Sequence, residues 1–369
     1  MHIGIDASRA ARPQRTGTEA YSLHLIRGLL ALDQENDYTL YFNQPPVFGL
    51  LPASPRCRQS VIPFPRLWTH LRLSAEMLRR PPDILLVPAH VLPLVHPRRS
   101  LVTVHDLGYL HEPQAHRLLD RMYLDLSNRY HARVALRLLA ISHATKSDLV
   151  RHYDVAPERI SVTQLAADAS FRPVMDTAAI AAVRARYGIG PTYVLYVGTL
   201  QPRKNLVRLV QAFATVAAAH PNLQLVLAGK QAWQYRQLLA QVQRLGLAGR
   251  VLFPGYVDAA DLPALYSGAL AFAFPSLYEG FGMPALEAMA CGTPVLASSV
   301  SSLPEVVGDA GLLVDPTDIP ALAAALSRLV AEPDLRAELR QRGLVRARAF
   351  SWERCARETL AAILQATEA

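Results

Sequence analysis

Residues 269–294 join an apolar run (269–274) to a turn carrying Gly280 and Gly282, and the turn leads straight into a small, apolar stretch. Few folds accommodate that order. The apolar run reads as a buried strand, the glycines allow a tight turn with close backbone approach, and Pro284 suits the first position of a helix. A buried strand that passes through a glycine turn directly into a helix is half of a βαβ unit, so the chain is committed to a parallel sheet covered by helices.

The same turn carries chemistry. A helix that starts on a glycine turn points free amides and the positive end of its dipole outwards, which attracts a phosphate or diphosphate. Glu279 lies on the turn, and Glu287 follows eight positions later. Glu287 is near enough to accept hydrogen bonds from ribose hydroxyls, and Glu279 would face a sugar. A glutamate in a first helical turn also offsets the dipole. That explanation serves either residue alone and serves the spaced pair badly.

The rest of the chain repeats the alternation of strand and helix. Strands are expected at 2–6, 38–42, 84–87, 101–104 and 138–141 in the first half, with helices at 20–32 and 143–153. In the second half strands recur at 193–197, 223–228, 251–253, 269–274, 294–297 and 311–314. The pattern implies doubly wound sheets. A polar, proline-ended stretch at 169–173 reads as a hinge, and a last helix begins near Trp352. A length of 369 residues exceeds the usual single core, and 51% hydrophobic residues can fill two.

Composition narrows the class. Three cysteines, Cys57, Cys291 and Cys355, show neither metal-ligand nor CxxC spacing, so a reducing compartment is expected. Met1 runs directly into Ile3-Gly4-Ile5-Asp6 without the graded regions of an export signal, and no apolar stretch is long enough to span a bilayer. The net charge of +8 favours anionic partners, but the arginines are spread along helices among acidic neighbours, so nucleic acid is not expected. Residues 67–80 mix Trp68, Leu71, Leu73, Met77 and Leu78 with His70, Arg72, Arg79 and Arg80. That is the composition of a basic amphipathic helix, suited either to an ordinary surface or to peripheral contact with anionic lipid.

Ligands of open α/β sheets bind beyond the carboxyl ends of the strands. After the strand 193–197 comes Gly198, then Arg203 and Lys204 before a helix. Adjacent cations there can grip two phosphates, arginine through its planar fork and lysine as a point charge. They would offset negative charge on a leaving diphosphate without a metal. The bland alternative is a solvated basic pair. No Asp-x-Asp pair, a common metal-binding signature, occurs in the chain. In the first half, Gly17 follows the first strand and precedes a helix, with Thr16 and Glu19 at capping-box spacing. His105 and Asp106 end the strand 101–104. Asp106 would orient the imidazole or cap the next turn.

Glu279 and Glu287 together resemble the Glu-x7-Glu motif of family 4 retaining glycosyltransferases, and the likeness spans nearly the whole chain. The resemblance implies an α/β protein of the GT-B type, with two doubly wound Rossmann-like domains, an interdomain cleft and a final helix that crosses back to the first domain. It places an acceptor-side domain at 1–170, a nucleotide-sugar domain at 171–351 and the crossing helix at 352–369. Arg203 and Lys204 look like the family's diphosphate-binding pair, with Glu279 and His105 as catalytic partners. Gly17, Gly198, Gly280, Phe281, Gly282 and Glu287 are then donor-binding. His105 is expected to donate a hydrogen bond to a donor-sugar hydroxyl. Gly17 stands alone where many members carry paired glycines. Ser142 and Lys146 resemble a family motif with a structural or acceptor-side role, and 164–168 departs from the Pro-x-Gly-x-Asp of many relatives.

The activity implied is metal-independent transfer of a hexose from a nucleotide diphosphate donor, GDP-mannose first, to a glycan or lipid-linked acceptor. No bound cofactor is expected. The location implied is cytoplasmic, with peripheral membrane contact as an extension. A nucleotide-sugar 2-epimerase on the same fold and a non-catalytic nucleotide-sugar-binding protein are the alternatives.

Overall fold

A computed structural model describes residues 1–12, 17–47, 49–52, 54–89, 91–115, 117–231 and 235–368. The chain gathers into two compact units. The first holds the residues up to Tyr109, 117–165 and those from Ser351 onwards; the second holds Leu110–Ala115 and Ala166–Phe350.

The first unit is built on β1 (His2–Asp6), β2 (Asp37–Phe42), β3 (Cys57–Val61), β4 (Ile84–Val87), β5 (Ser100–Val104), β6 (Arg137–Ala140) and β7 (Ile160–Val162). They form one parallel sheet in the order β3-β2-β1-β4-β5-β6-β7. Central strands such as β4 and β5 are buried along their whole length, as a parallel sheet covered on both faces requires. Sequence periodicity misses β3 and β7. Both are edge strands, and β3 is largely solvent-facing and reads Cys-Arg-Gln-Ser-Val, without an apolar run.

Two helices seal one face of this sheet. The helix Gly17–Leu32 buries Tyr21, Leu25, Ile26 and Leu29, and the closing helix Trp352–Glu368 packs along it through Cys355, Ala356 and Ile363. A Cβ on Gly28 would fall 2.8 Å from that of Ala356, so the missing side chain sets the approach of the pair. The segment read as one amphipathic helix over 67–80 is a π-type turn at Thr69–Leu73 running into the helix Ser74–Arg79. Trp68, Leu73 and Met77 are buried, and the Trp68 indole donates to the Ile62 carbonyl at 2.7 Å. Three of the five apolar residues expected on its apolar face are therefore core, and Leu71 and Leu78 stay exposed.

The second unit holds β8 (Tyr193–Val197), β9 (Gln224–Ala228), β10 (Val251–Gly255), β11 (Ala271–Phe274), β12 (Val295–Ser298) and β13 (Gly311–Val314). They form a second parallel sheet in the order β10-β9-β8-β11-β12-β13. The chain reverses its direction of winding between β8 and β11. Loops leaving such neighbours diverge and leave a crevice at the carboxyl ends, the switch point at which ligands of these sheets bind.

Candidate active site

The loops that leave β8 and β11 carry the charged residues singled out in the sequence. After β8 the chain passes Gly198 (φ +151°) and makes a short turn at Pro202–Lys204, and Asn205 adopts a left-handed conformation (φ +59°) before the helix Leu206–Ala219. Buried Asn205 donates through Nδ2 to the carbonyls of Pro275 (3.1 Å) and Pro316 (2.6 Å), which fastens this loop to its neighbour. The Leu277 amide donates to the Arg203 carbonyl at 2.9 Å and adds a second fastening. A Cβ on Gly229 would lie 1.9 Å from the Gly198 oxygen, so only glycine allows the loops after β8 and β9 to meet.

Glu279 sits where these loops converge and is almost fully buried. Lys204 Nζ is hydrogen-bonded to Glu279 Oε1, and Arg203 Nη1 lies 3.5 Å from Oε2 while donating to the Tyr278 carbonyl at 2.7 Å. All three side chains are about nine-tenths buried. Lys204 also stands 5.0 Å above the Phe274 ring. Arg203 and Lys204 are thus not a solvated basic pair. They form a dehydrated cluster with Glu279, carrying a net charge of +1, in which an added anion would meet weak dielectric screening.

Two serines that sequence reasoning missed fix the turn. The Glu279 amide donates to Ser301 Oγ at 3.0 Å, and Ser302 Oγ lies 2.9 Å from the Glu279 carbonyl and 2.8 Å from that of Phe281. Ser301 holds φ at +54°, a strained value for a residue with a Cβ. The only local signal was a Ser-Ser-Leu-Pro helix start. Of the turn glycines, Gly282 carries the positive φ (+105°), and a Cβ there would fall 2.6 Å from Leu303. The helix Met283–Ala290 places Pro284 second rather than first, because Gly282 serves as its cap. The Phe281 ring does not line the site. It is buried edge-on against Phe350, centroids 5.8 Å apart, so the side chain belongs to the core. Tyr278, also missed, stacks on His111 at 4.5 Å within the second unit.

Glu287 occupies a different environment. It accepts a hydrogen bond from the Tyr266 hydroxyl at 3.1 Å. Burial of the carboxyl pushes its pKa up to about 8, against the Tyr266 hydrogen bond, and the nearby Asp168 raises it further. Nothing in the sequence around Glu287 announced Tyr266, which lies in the last turn of the helix Leu262–Ser267 from another βα unit.

In the first unit, Gly17 is the first residue of its helix, and a Cβ there would meet no heavy atom within 4 Å. Thr16, the expected cap, lies outside the described residues. Glu19 is buried and accepts from Arg9 Nη1 at 2.9 Å, with Arg12 at 3.9 Å. His105 Nε2 lies 2.8 Å from the Pro88 carbonyl, and the ring meets Tyr21 edge-on at 5.0 Å. Burial lowers its pKa, which favours the neutral ring. Nε2 then carries the proton given to Pro88, and Nδ1 is left as an acceptor, so a sugar hydroxyl would donate to His105 rather than accept from it. Asp106 caps the next turn through the Gly108 amide at 3.0 Å. Ser142 caps the helix His143–Tyr153 through Thr145, and Lys146 Nζ donates to the Ile160 carbonyl at 2.8 Å, so each has a partner within the fold.

The two units correspond to two known domains. Residues 15–171 match the model of Glycosyltransferase Family 4, and residues 182–346 match that of Glycosyl transferases group 1. The chain belongs to the family 4 glycosyltransferases. It is 32% identical over 383 residues to the O-antigen chain mannosyltransferase B of Escherichia coli, an alignment covering 96% of this chain and 98% of that protein. With the D-inositol 3-phosphate glycosyltransferase of Rhodococcus jostii it shares 34% identity over 291 residues, 75% of this chain and 62% of the relative. The solved sucrose-phosphate synthase from Thermosynechococcus elongatus superposes with a TM-score of 0.77 at 26% identity, covering 100% of this chain and 99% of that one. The architecture is that of GT-B glycosyltransferases, and the protein is a glycosyltransferase.

Proposed function

We propose that the protein transfers mannose from GDP-mannose, with retention at the anomeric carbon and without a metal, to a glycan or lipid-linked acceptor. The observation that carries this reading is the buried Arg203, Lys204 and Glu279 cluster at the switch point of the second sheet. The choice of mannose rests on the likeness to the O-antigen chain mannosyltransferase. Arg203 and Lys204 hold the diphosphate, and the amides of Gly280, Phe281 and Gly282 with the adjoining helix end add positive potential. Glu287 accepts from the ribose hydroxyls. Glu279 orients the two cations and faces the sugar. From the first unit, Gly17 and His105 are assigned to the donor on the family resemblance. A lipid-linked acceptor would keep the enzyme at a membrane face.

Retention through a covalent intermediate needs a carboxylate on the sugar face opposite the diphosphate. Glu279 is engaged with the two cations, so we assign front-face transfer. The bond from the anomeric carbon to the diphosphate oxygen breaks, the acceptor oxygen bonds to the same face, and the departing diphosphate takes the acceptor's proton. Thermal unfolding with GDP, UDP, ADP and dTDP tests the donor, and GDP is expected to raise Tm most. Proton NMR of the first product tests the stereochemistry. An α-linked product from the α-configured donor is expected, and a β-linked product rejects the scheme.

A further inference from the structure

The helix Leu118–Val134 is turned inside out. The residues it buries are Ser127, Asn128, His131 and Ala132. Their polar groups are used internally: Asn128 donates to the Tyr109 hydroxyl at 2.9 Å, His131 Nε2 accepts from the Leu92 amide at 3.3 Å, and Ser127 donates to the Tyr123 carbonyl at 2.7 Å. The face sent to solvent holds Leu118, Leu119, Met122, Tyr123 and Leu126, each between 52% and 78% exposed. An ordinary surface helix does the reverse. A contiguous apolar face of this kind marks a contact surface.

The face extends beyond that helix. His70 Nε2 lies 3.4 Å from the Tyr123 hydroxyl, which joins it to the segment where Leu67 and Leu71 are 65% and 50% exposed. Exposed arginines accompany both segments, Arg66, Arg79 and Arg80 on one and Arg117 and Arg133 near the ends of the other. Of the acids there, Glu76 and Asp125 are paired with Arg72 (3.0 Å) and Arg129 (2.8 Å), and Asp120 remains. The surface is apolar with a basic surround. A second copy fits it poorly, because a two-fold contact sets the same arginines against each other. None of the described helices is long and apolar enough to cross a membrane.

We propose that this face docks the protein on an anionic lipid bilayer. The leucines, Met122 and Tyr123 enter the boundary between headgroups and acyl chains, and the arginines reach the headgroup phosphates. The inference deepens the lipid-linked acceptor reading by naming the surface, and its test uses neither donor nor acceptor. The full chain is sedimented with vesicles of phosphatidylcholine, with and without phosphatidylglycerol. Binding is expected only with the anionic lipid, weakening as salt is raised. The variant carrying Leu119→Ser, Met122→Ser and Leu126→Ser should bind about tenfold less with an unchanged Tm, since these side chains are already in water. Arg117→Gln with Arg133→Gln should weaken binding to anionic vesicles without altering Tm. Equal binding to both vesicle types, or wild-type binding by the serine variant, overturns the proposal. So does a dimer in light scattering that the serine variant dissolves while vesicles capture nothing. Vesicle binding without sugar transfer would leave this inference standing and remove the functional reading.

Discussion

The turn at Glu279 and the helix around Glu287 are adjacent in sequence, and each brings one carboxylate to the mouth of the same sheet. Glu279 faces two cations in a buried cluster. Glu287 faces a phenol, and burial pushes its pKa up to about 8. One site is preloaded with opposed charges, so an anion entering it would exchange partners with Glu279 instead of meeting bare cations. The other holds a carboxyl that gains by receiving hydroxyl donors. The spacing of the two glutamates sets their position, whereas the environment of each comes from what other loops bring to it.

The largest effects should come from removing a member of the charged cluster. Arg203→Ala and Lys204→Ala are each expected to lower kcat by about 10² or more, as for other groups that stabilise charge in a transition state. Steady-state turnover measures this, with circular dichroism to check folding, because removing one member of a buried ionic cluster also destabilises it. A loss of less than about threefold in both variants would detach the cations from the chemistry.

The neutral side gives a smaller effect, of stated sign. The carboxyl of Glu287 has an ordinary value of 4.5 and a folded value of about 8. Between those values the unfolded chain releases a proton that the folded chain keeps, so this group's contribution to stability falls as the pH rises through the window and is flat above it. Glu287→Gln should remove that slope and raise stability at pH 8 by about 1–2 kcal/mol, the residue being only half-buried. Parallel Tm curves for the two proteins from pH 5 to about 8.5 would show that the carboxyl titrates normally. Smallest of all is the expected effect of EDTA. Turnover should be unchanged on chelation, and a loss restored by magnesium or manganese would give the charge offset to a metal instead.

Much of this was legible in the sequence, and the misses share a cause. Central strands such as β4 and β8 announce themselves because burial on both faces demands unbroken apolar runs, whereas the edge strand β3 is half in water and carries none. Arg203, Lys204, Glu279 and Glu287 were visible because residues after strands in such sheets converge. Ser301, Ser302 and Tyr266 were not, because their partners lie about twenty residues away in sequence, across other βα units. The engagement of His105 Nε2 by Pro88 was hidden for the same reason, since it depends on how the loops after β4 and β5 face each other. In residues 67–80 the amphipathic pattern was real, but pattern alone cannot say which apolar residues enter the unit's own core and which stay outside.

The division of labour between the two carboxylates is tested most directly by titrating GDP calorimetrically into the Glu287→Ala and Glu279→Ala variants and measuring kcat on the same preparations. Glu287→Ala should weaken nucleotide binding by about tenfold or more, as expected for lost hydrogen bonds to a buried carboxyl, while Glu279→Ala should leave Kd within about threefold and lower kcat sharply. Wild-type Kd and kcat in both variants, or the same loss of Kd in both, would contradict the account.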